Sequence, residues 1–118
     1  MVGGGEGAFI GGVHRIALRL DGYYELVAGC FSSNFDNSKK TGINLGLAEE
    51  RIYESYQEMA EKESDRSDGI DVVSIVTPNH LHVPVAKIFA EKGINIICDK
   101  PLALSSIEAN SLKDIVEN

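Results

Sequence analysis

Short apolar runs alternate along the chain with longer amphipathic stretches. Residues 71–77 and 94–99 are nearly continuous β-branched runs, which is typical of strands buried on both faces of a sheet. Residues 25–31 have a polar start and an apolar middle and predict a further strand. Because helical patterns separate these strands, the chain predicts repeated βα units around a parallel sheet.

The clearest helix lies between the two β-branched strands. Apolar residues recur at helical spacing over 85–89, and Gly93 suits the left-handed conformation just past a helix end. Pro84 lacks an N–H and is tolerated near the first turn. The pattern therefore predicts a helix that begins near His82.

Two more helices are predicted from local signals. Residues 9–20 follow a glycine-rich turn and predict the first helix. Ser105 and Glu108 have the spacing of a capping box and precede an apolar stripe. A terminal helix is therefore predicted to begin at about Ser106.

Two polar stretches lie between these elements. Residues 34–46 are rich in Asn, Ser, Lys and Gly and are predicted to be loose, with a short helix in their middle. Residues 49–71 hold nine carboxylates against Arg51, Lys62 and Arg66. This pattern predicts a solvated helix face followed by a loop at 67–69, with an acidic docking patch as the alternative.

The length of 118 residues, with 43% hydrophobic content, predicts a single domain. No apolar run approaches the roughly 20 residues that span a bilayer, so a membrane protein is not expected. No signal segment follows Met1, so we expect a cytoplasmic protein. The net charge of −7 argues against nucleic acid as a partner, because phosphate backbones are repelled. No metal site is predicted.

Gly3, Gly5 and Ala8 match the pattern G-x-G-x-x-G/A directly after Met1 and Val2. In dinucleotide-binding folds the first glycine permits a tight turn and the second lets the backbone approach a pyrophosphate, while the small third residue lets helix and strand pack closely. The pyrophosphate lies at the positive end of the following helix. The pattern therefore predicts a dinucleotide site.

The candidate phosphate-binding set also includes Gly7 and the first helical residues, Phe9 and Ile10. Gly11 and Gly12 lie close enough that a different register of the motif stays open. Few residues precede the first glycine, so the first strand is expected to be almost absent.

The end of the second predicted strand bears on the choice of cofactor. A site that prefers NAD usually places Asp or Glu there, to bind the ribose hydroxyls. Asp36 lies several residues too far along, whereas Ser32, Ser33, Lys39 and Lys40 are suited to accept a 2′-phosphate. The site is predicted to bind NAD or NADP, with NADP favoured. Under the alternative, the serines begin a turn and the lysines are solvated.

Two short polar motifs follow the two β-branched strands. Because the carboxyl ends of parallel strands meet at one edge of a sheet, where ligands bind, both motifs are candidates for one site. Their members are Thr77, Pro78, Asn79 and His82 after the first strand, and Asp99, Lys100 and Pro101 after the second.

The order of these features resembles the N-terminal domain of the glucose-fructose oxidoreductase, inositol dehydrogenase and rhizopine catabolism (Gfo/Idh/MocA) family. The resemblance rests on the glycine-rich turn, the Thr-Pro-Asn-x-x-His motif, a helix with Ala86 and Ala90, Gly93, and the acidic-Lys-Pro motif. It spans essentially the whole chain and is most specific over 72–101. The family usually has Glu at the position of Asp99.

The resemblance implies an α/β fold of the Rossmann type, a doubly wound parallel sheet with strand order 3-2-1-4-5 and a truncated first strand. It implies that Lys100 is catalytic, lying near the nicotinamide and substrate, where its ammonium holds a substrate hydroxyl. The Lys100–Pro101 bond is expected to be cis, as is common in the family. The residues expected to line the cofactor cleft are Thr77, Pro78, Asn79, His82, Asp99 and Pro101.

The resemblance also implies hydride transfer between NAD or NADP and a sugar, polyol or cyclitol such as inositol. In the family the general base and most substrate recognition fall to a C-terminal α+β domain. Residues 1–118 lack it and are expected to be a dinucleotide-binding fragment, truncated at both ends, of a homo-oligomeric dehydrogenase. The fragment alone is expected to be inactive. A non-catalytic binding module and a regulatory protein without cofactor affinity stay open as alternatives.

The strand order bears on the two cysteines as well. Cys30 in the second strand and Cys98 in the last lie three strand spacings apart, roughly 14 Å at ~4.8 Å each. A disulfide needs Cα atoms within ~7 Å. The two residues are therefore expected to remain reduced thiols.

Overall fold

A computed structural model describes residues 1–118. In chain order the regular elements are β1 (Val2–Gly3), α1 (Phe9–Arg19), α2 (Phe35–Asn44), α3 (Tyr56–Asp65), β2 (Val72–Val76), α4 (His82–Glu91), β3 (Asn95–Cys98) and α5 (Ser106–Glu117). Single 3-10 turns at Glu49–Arg51 and Asn79–Leu81 precede α3 and α4. The longest helix has 12 residues, and none combines the length and apolarity that crossing a membrane requires.

The three strands form a parallel sheet in the order β1, β2, β3. Two further segments extend the sheet beyond β1 through single bridges, one from Val2 to Cys30 and one from Gly29 to Ile52. Across the sheet the order is therefore third, second, first, fourth and fifth segment. This confirms the α/β Rossmann fold, the 3-2-1-4-5 order and the very short first strand.

The predicted strand over 25–31 is wrong in extent. Only Gly29 and Cys30 pair with neighbouring segments. Cys30 N–H donates to Met1 O at 3.0 Å, and Gly3 N–H donates to Cys30 O at 2.9 Å. Single hydrogen bonds continue on either side, from the Met1 amino group to Ala28 O at 2.9 Å and from Gly5 N–H to Phe31 O at 2.9 Å.

The sheet separates two core clusters, because successive side chains of a strand point to opposite faces. The larger cluster joins Val73 and Ile75 of β2 to Met59 of α3, Phe89 of α4 and Leu112 of α5. The smaller cluster lies on the other face, where α1 and α2 pack. Its members are Met1, Phe31, Leu47, Ile52 and Val76, with Ile10 of α1 packed against them.

The predicted starts of the last two helices are confirmed. α4 begins at His82 and is followed by Gly93 at φ +73°. At the start of α5, Ser105 Oγ accepts Glu108 N–H at 3.2 Å, and Glu108 Oε2 accepts Leu104 N–H at 2.9 Å. This is the predicted capping box with one difference, because the carboxylate accepts the N–H of the residue before the cap and not that of Ser105.

Residues 34–46 are more regular than predicted. They form the ten-residue helix α2, whose first turn is capped by Asn34 through a 3.0 Å hydrogen bond from Asn37 N–H. The buried Ser38 hydroxyl accepts Phe31 N–H at 2.8 Å and ties the helix to the sheet. The polar residues that suggested a loose segment instead cap this helix and anchor it to the sheet.

The prediction of a solvated helix face over 49–71 is wrong for one side of α3. Glu63 is only 1% exposed and accepts two hydrogen bonds from Arg51, at 3.0 Å from Nε and 2.6 Å from Nη2. The Tyr53 hydroxyl donates to the same carboxylate at 2.8 Å. Burial opposes ionisation of Glu63, but the hydrogen bonds from Arg51 and Tyr53 and the guanidinium charge outweigh it and lower the pKa of the carboxyl. We call these three residues the Arg51–Glu63–Tyr53 network.

The arrangement of the cysteines is confirmed. Cys30 is paired with Val2, Val2 with Ile75, and Ile75 with Cys98, so the two residues lie three strands apart in one row of the sheet. Both are free thiols. Burial raises the pKa of Cys30 to about 11, which leaves it an unreactive thiol at neutral pH.

Candidate functional site

A cleft of about 490 Å³ opens at the carboxyl edge of the sheet. Its walls come from the turn after β1, from residues 30–33 and 54–57 at the ends of the outer two segments, and from the end of β2. Open α/β sheets bind ligands at this edge, where the strand order reverses direction. In this sheet the reversal lies between β1 and β2, and both strands contribute to the wall.

The turn after β1 brings bare backbone against the sheet. A Cβ added at Gly3, which has φ +83°, would lie 2.9 Å from the backbone of Val76 and Thr77. A Cβ added at Gly5 would lie 3.0 Å from Phe31 O, on the wall of the cleft. Neither position tolerates a side chain without displacement of its neighbours, and the positive φ of Gly3 fits the tight turn expected of the first glycine of the motif.

The close packing predicted for Ala8 belongs to Gly11 instead. A Cβ at Gly11 would lie 2.5 Å from Gly4 Cα, so only glycine lets α1 approach the turn. Ala8 is the residue just before α1 and lines the cleft. Gly7 has φ +89° and is exposed outside the lining.

The start of α1 is free to meet an anion. α2, α3 and α5 each have a side-chain cap and an acidic residue in the first turn. α1 has neither, and the same is true of α4. Because the unpaired N–H groups of a helix start carry the positive end of its dipole, the start of α1 beside the glycine turn suits a phosphate group.

Thr77 lines the same cleft and has an unpartnered polar atom. Its Oγ1 is the one buried side-chain polar atom of the protein without a hydrogen-bond partner. Thr77 and Pro78 both line the cleft, whereas Asn79 is exposed beyond it. Since an unpartnered buried hydroxyl is costly, Thr77 Oγ1 fits a ligand or water that completes its hydrogen bonding.

His82 does not line the cleft as predicted. It is fully buried, with Nε2 at 3.0 Å from Thr77 O and Nδ1 at 2.6 Å from Pro101 O. Each ring nitrogen therefore lies within hydrogen-bond distance of a main-chain carbonyl. His82 joins the loop after β2 to the loop after β3.

The Asp99–Lys100–Pro101 turn lies beside the cleft, outside its lining. The Lys100–Pro101 peptide bond is cis, as expected. The Lys100 side chain is exposed and takes part in none of the ion pairs of the protein. Its ammonium is therefore free to meet a ligand at this edge.

The Asp99 carboxylate points toward α1. Its Oδ1 lies 3.6 Å from His14 Nε2, and His14 Nδ1 lies 3.0 Å from Ser74 Oγ of β2. Ser74 is buried, so this serine, histidine and aspartate are not an accessible nucleophilic triad. The contact instead anchors the turn from the α1 side, while His82 anchors it from the α4 side.

The far end of the cleft contains Ser32 and Ser33. Ser32 Oγ accepts Asn34 N–H at 3.1 Å and so begins a turn. The lysines predicted to accept a 2′-phosphate lie outside the lining. Lys39 Nζ is 2.6 Å from Glu49 Oε1, and Lys40 Nζ is 3.2 Å from Glu6 Oε2.

Some predicted contacts fall elsewhere, and others were missed. Phe9 is 83% exposed and Ile10 packs against the smaller core cluster, so neither lines the cleft. The polar lining residues missed are Glu6, Asn37, Glu54, Ser55, Tyr56 and Gln57. The Ser-x-x-Glu pattern at Ser55 signalled the last four, because it marks a helix start after a strand position. No group of three or more His, Cys, Asp or Glu side chains is arranged to hold a metal ion.

Comparisons with known proteins agree with this geometry. The model of the Gfo/Idh/MocA oxidoreductase family, NAD-binding Rossmann fold, matches residues 1–118. The oxidoreductase YfiI of Bacillus subtilis is 44% identical over 118 residues, which cover 99% of this chain and 30% of YfiI.

Solved structures match as well. An oxidoreductase from Sinorhizobium meliloti is 50% identical, with a TM-score of 0.94 over 100% of this chain and 33% of its own. An inositol dehydrogenase homolog from Azotobacter vinelandii, complexed with NADH and myo-inositol, is 38% identical, with a TM-score of 0.96 over 99% of this chain and 31% of its own. The chain thus spans about a third of the length of these relatives.

Proposed function

The chain belongs to the Gfo/Idh/MocA family of oxidoreductases, as an NAD-binding Rossmann domain, and from this premise we propose that its cleft holds the dinucleotide of a sugar, polyol or cyclitol dehydrogenase. The related Azotobacter vinelandii protein complexed with NADH and myo-inositol supports this substrate class. The bound dinucleotide supplies the hydride acceptor and donor.

The observation that carries the proposal is the convergence of three unfilled features at one edge of the sheet. The glycine turn offers bare backbone, the start of α1 offers uncapped N–H groups, and Thr77 Oγ1 offers an unpartnered hydroxyl. The first two would hold the pyrophosphate. Thr77 and Pro78 would bound the cofactor on the β2 side.

Lys100 is the proposed catalytic residue. It stands at the carboxyl end of β3, beside β2, with an exposed ammonium and no ion pair. There it would hold a substrate oxygen and stabilise negative charge that develops on it. His14 and His82 are positioning residues for the turn that carries it. Asn79 and Pro101 flank the same edge and stay predicted cofactor contacts.

Binding is tested on this chain by calorimetric titration with NAD+. Gly5→Val would place branched carbons against Phe31 O and is expected to weaken binding by about tenfold or more, because the glycine turn that would hold the pyrophosphate must shift to relieve the clash. Gly12→Ala is the matched control, since its Cβ would meet only Arg15 Nη2 at 3.9 Å. Equal affinities of the two variants would count against the proposed cleft.

Catalysis is tested in a protein of the relatives' length that contains this chain. Lys100→Ala is expected to abolish turnover of a polyol while NAD+ affinity changes little. Unchanged turnover would exclude Lys100 from the chemistry. Binding of NAD+ without turnover of any polyol by the parent would indicate a non-catalytic module.

A further inference from the structure

The adenosine end of the cleft contains carboxylates and no cation. In Rossmann folds the residues at the end of the second strand meet the adenosine ribose. Here Gly5 N–H donates to Phe31 O at 2.9 Å, and a Cβ on Gly5 would lie 3.3 Å from Asn37 Nδ2. Of the 19 lining residues none is Lys, Arg or His, but Glu6 and Glu54 are among them.

The two nearby lysines are already matched to carboxylates. Lys39 faces Glu49 and Lys40 faces Glu6, at 2.6 and 3.2 Å. A surface ion pair is weak and exchangeable, so the pairs alone do not exclude a phosphate. They do cancel the local positive charge. Glu54, by contrast, is exposed on the cleft wall and has no ion-pair partner.

The start of α2, which follows the second sheet segment, offers no substitute for a cation. The Asn34 side chain accepts Asn37 N–H at 3.0 Å, and Asp36 adds a negative charge in the first turn. Both features satisfy the positive end of this helix within the protein. An added phosphate there would meet a helix start that is already capped.

We propose that the cleft selects NAD over NADP. The 2′-phosphate of NADP carries a charge of about −1.5 to −2 at neutral pH, which Glu54 repels and no lining cation offsets. The free ribose hydroxyls of NAD meet the neutral hydroxyl and amide groups of Ser33 and Asn37. This inference rests on the proposed function and reverses the preference for NADP predicted from the sequence.

The test is calorimetric titration of this chain with NAD+, NADP+, adenosine 5′-monophosphate and adenosine 2′,5′-bisphosphate. The affinity for NAD+ is expected to exceed that for NADP+ by about tenfold or more. The monophosphate is likewise expected to bind more tightly than the bisphosphate. Equal or tighter binding of the 2′-phosphorylated ligands would overturn the inference and leave the proposed function standing. If none of the four ligands binds, the proposed function itself fails, and the inference with it.

Variants identify the groups responsible. Glu54→Gln is expected to raise NADP+ affinity about two- to threefold without changing NAD+ affinity, because one unpaired charge is removed. Glu50→Gln removes the same charge from an exposed site outside the lining and is the matched control. The double variant Lys39→Ala, Glu49→Gln removes both charges of an ion pair outside the lining, so it is expected to leave the ratio of the two affinities unchanged. A selective loss of NADP+ binding in that variant would show that Lys39 serves a 2′-phosphate and would overturn the inference.

Discussion

Polar groups are hydrogen-bonded within the protein in the Arg51–Glu63–Tyr53 network but lack such partners at the carboxyl edge of the sheet. In the network, the two oxygens of Glu63 accept hydrogen bonds from Arg51, Tyr53 and Ile70 N–H. At the edge, Thr77 Oγ1 has no partner, Lys100 has no ion pair and α1 has no cap. Buried polar groups that partner one another hold a fold together, whereas groups left without partners mark where a ligand completes the hydrogen bonding.

The two regions are neighbours along the chain. Tyr53 of the network immediately precedes residues 54–57, which form one wall of the cleft. The network therefore supports one wall of the cleft. Changes in the network should act on stability, and changes at the edge should act on binding.

The largest effect is expected from Arg51→Ala. Its removal would leave the Glu63 carboxylate buried without a counter-charge, which costs about 3–5 kcal/mol of unfolding free energy. Urea denaturation measures the loss. Lys62→Ala is the comparison, because it breaks an exposed pair with Glu58 on the same helix and should cost about 0.5 kcal/mol or less. Equal losses in the two variants would mean that the network is no more important than a surface pair.

Much of the fold was predictable because its signals are local. The capping pair of Ser105 and Glu108 lies within one turn, and Gly93 ends a helix by its own backbone preference. Glu63 was misjudged because its partner Arg51 stands 12 residues away, and charge pattern alone does not reveal a buried pair.

The candidate site was predictable in its motifs but not in its orientations. His82 stands at the predicted edge, yet it faces inward because carbonyls of two loops meet it there. Gly11 acquires its role only where α1 crosses Gly4, a contact that no spacing within the motif specifies. Glu54, one of the two carboxylates of the lining, likewise reaches the cleft only because the fold brings residues 54–57 there from a distant segment.

An intermediate effect is expected when acid protonates the network. Because the pKa of Glu63 is lower in the folded protein than in the unfolded chain, the carboxylate contributes stability above the ordinary glutamate pKa of about 4.3. That contribution is lost as the pH falls through the lowered pKa, by about 1.4 kcal/mol for each unit of lowering.

Unfolding free energies measured between about pH 7 and pH 3 test this dependence. Glu63→Gln should lose stability with acid less steeply than Glu61→Gln, which removes an exposed carboxyl from the same helix. Parallel curves for the two variants would assign the acid dependence to other groups.

The smallest effect on stability is expected from Thr77→Val. This variant therefore contrasts most sharply with Arg51→Ala. Valine has the shape of threonine and removes a hydroxyl that has no partner within the protein, so the unfolding free energy should change by about 0.5 kcal/mol or less, or rise. NAD+ affinity should fall about three- to tenfold, since a hydrogen bond contributes about 0.5–1.5 kcal/mol. Thr77→Ser keeps the hydroxyl and should retain most of the affinity. If Thr77→Val unfolds more easily but binds NAD+ normally, Thr77 is a structural residue like those of the network. The distinction between the two regions would then be lost.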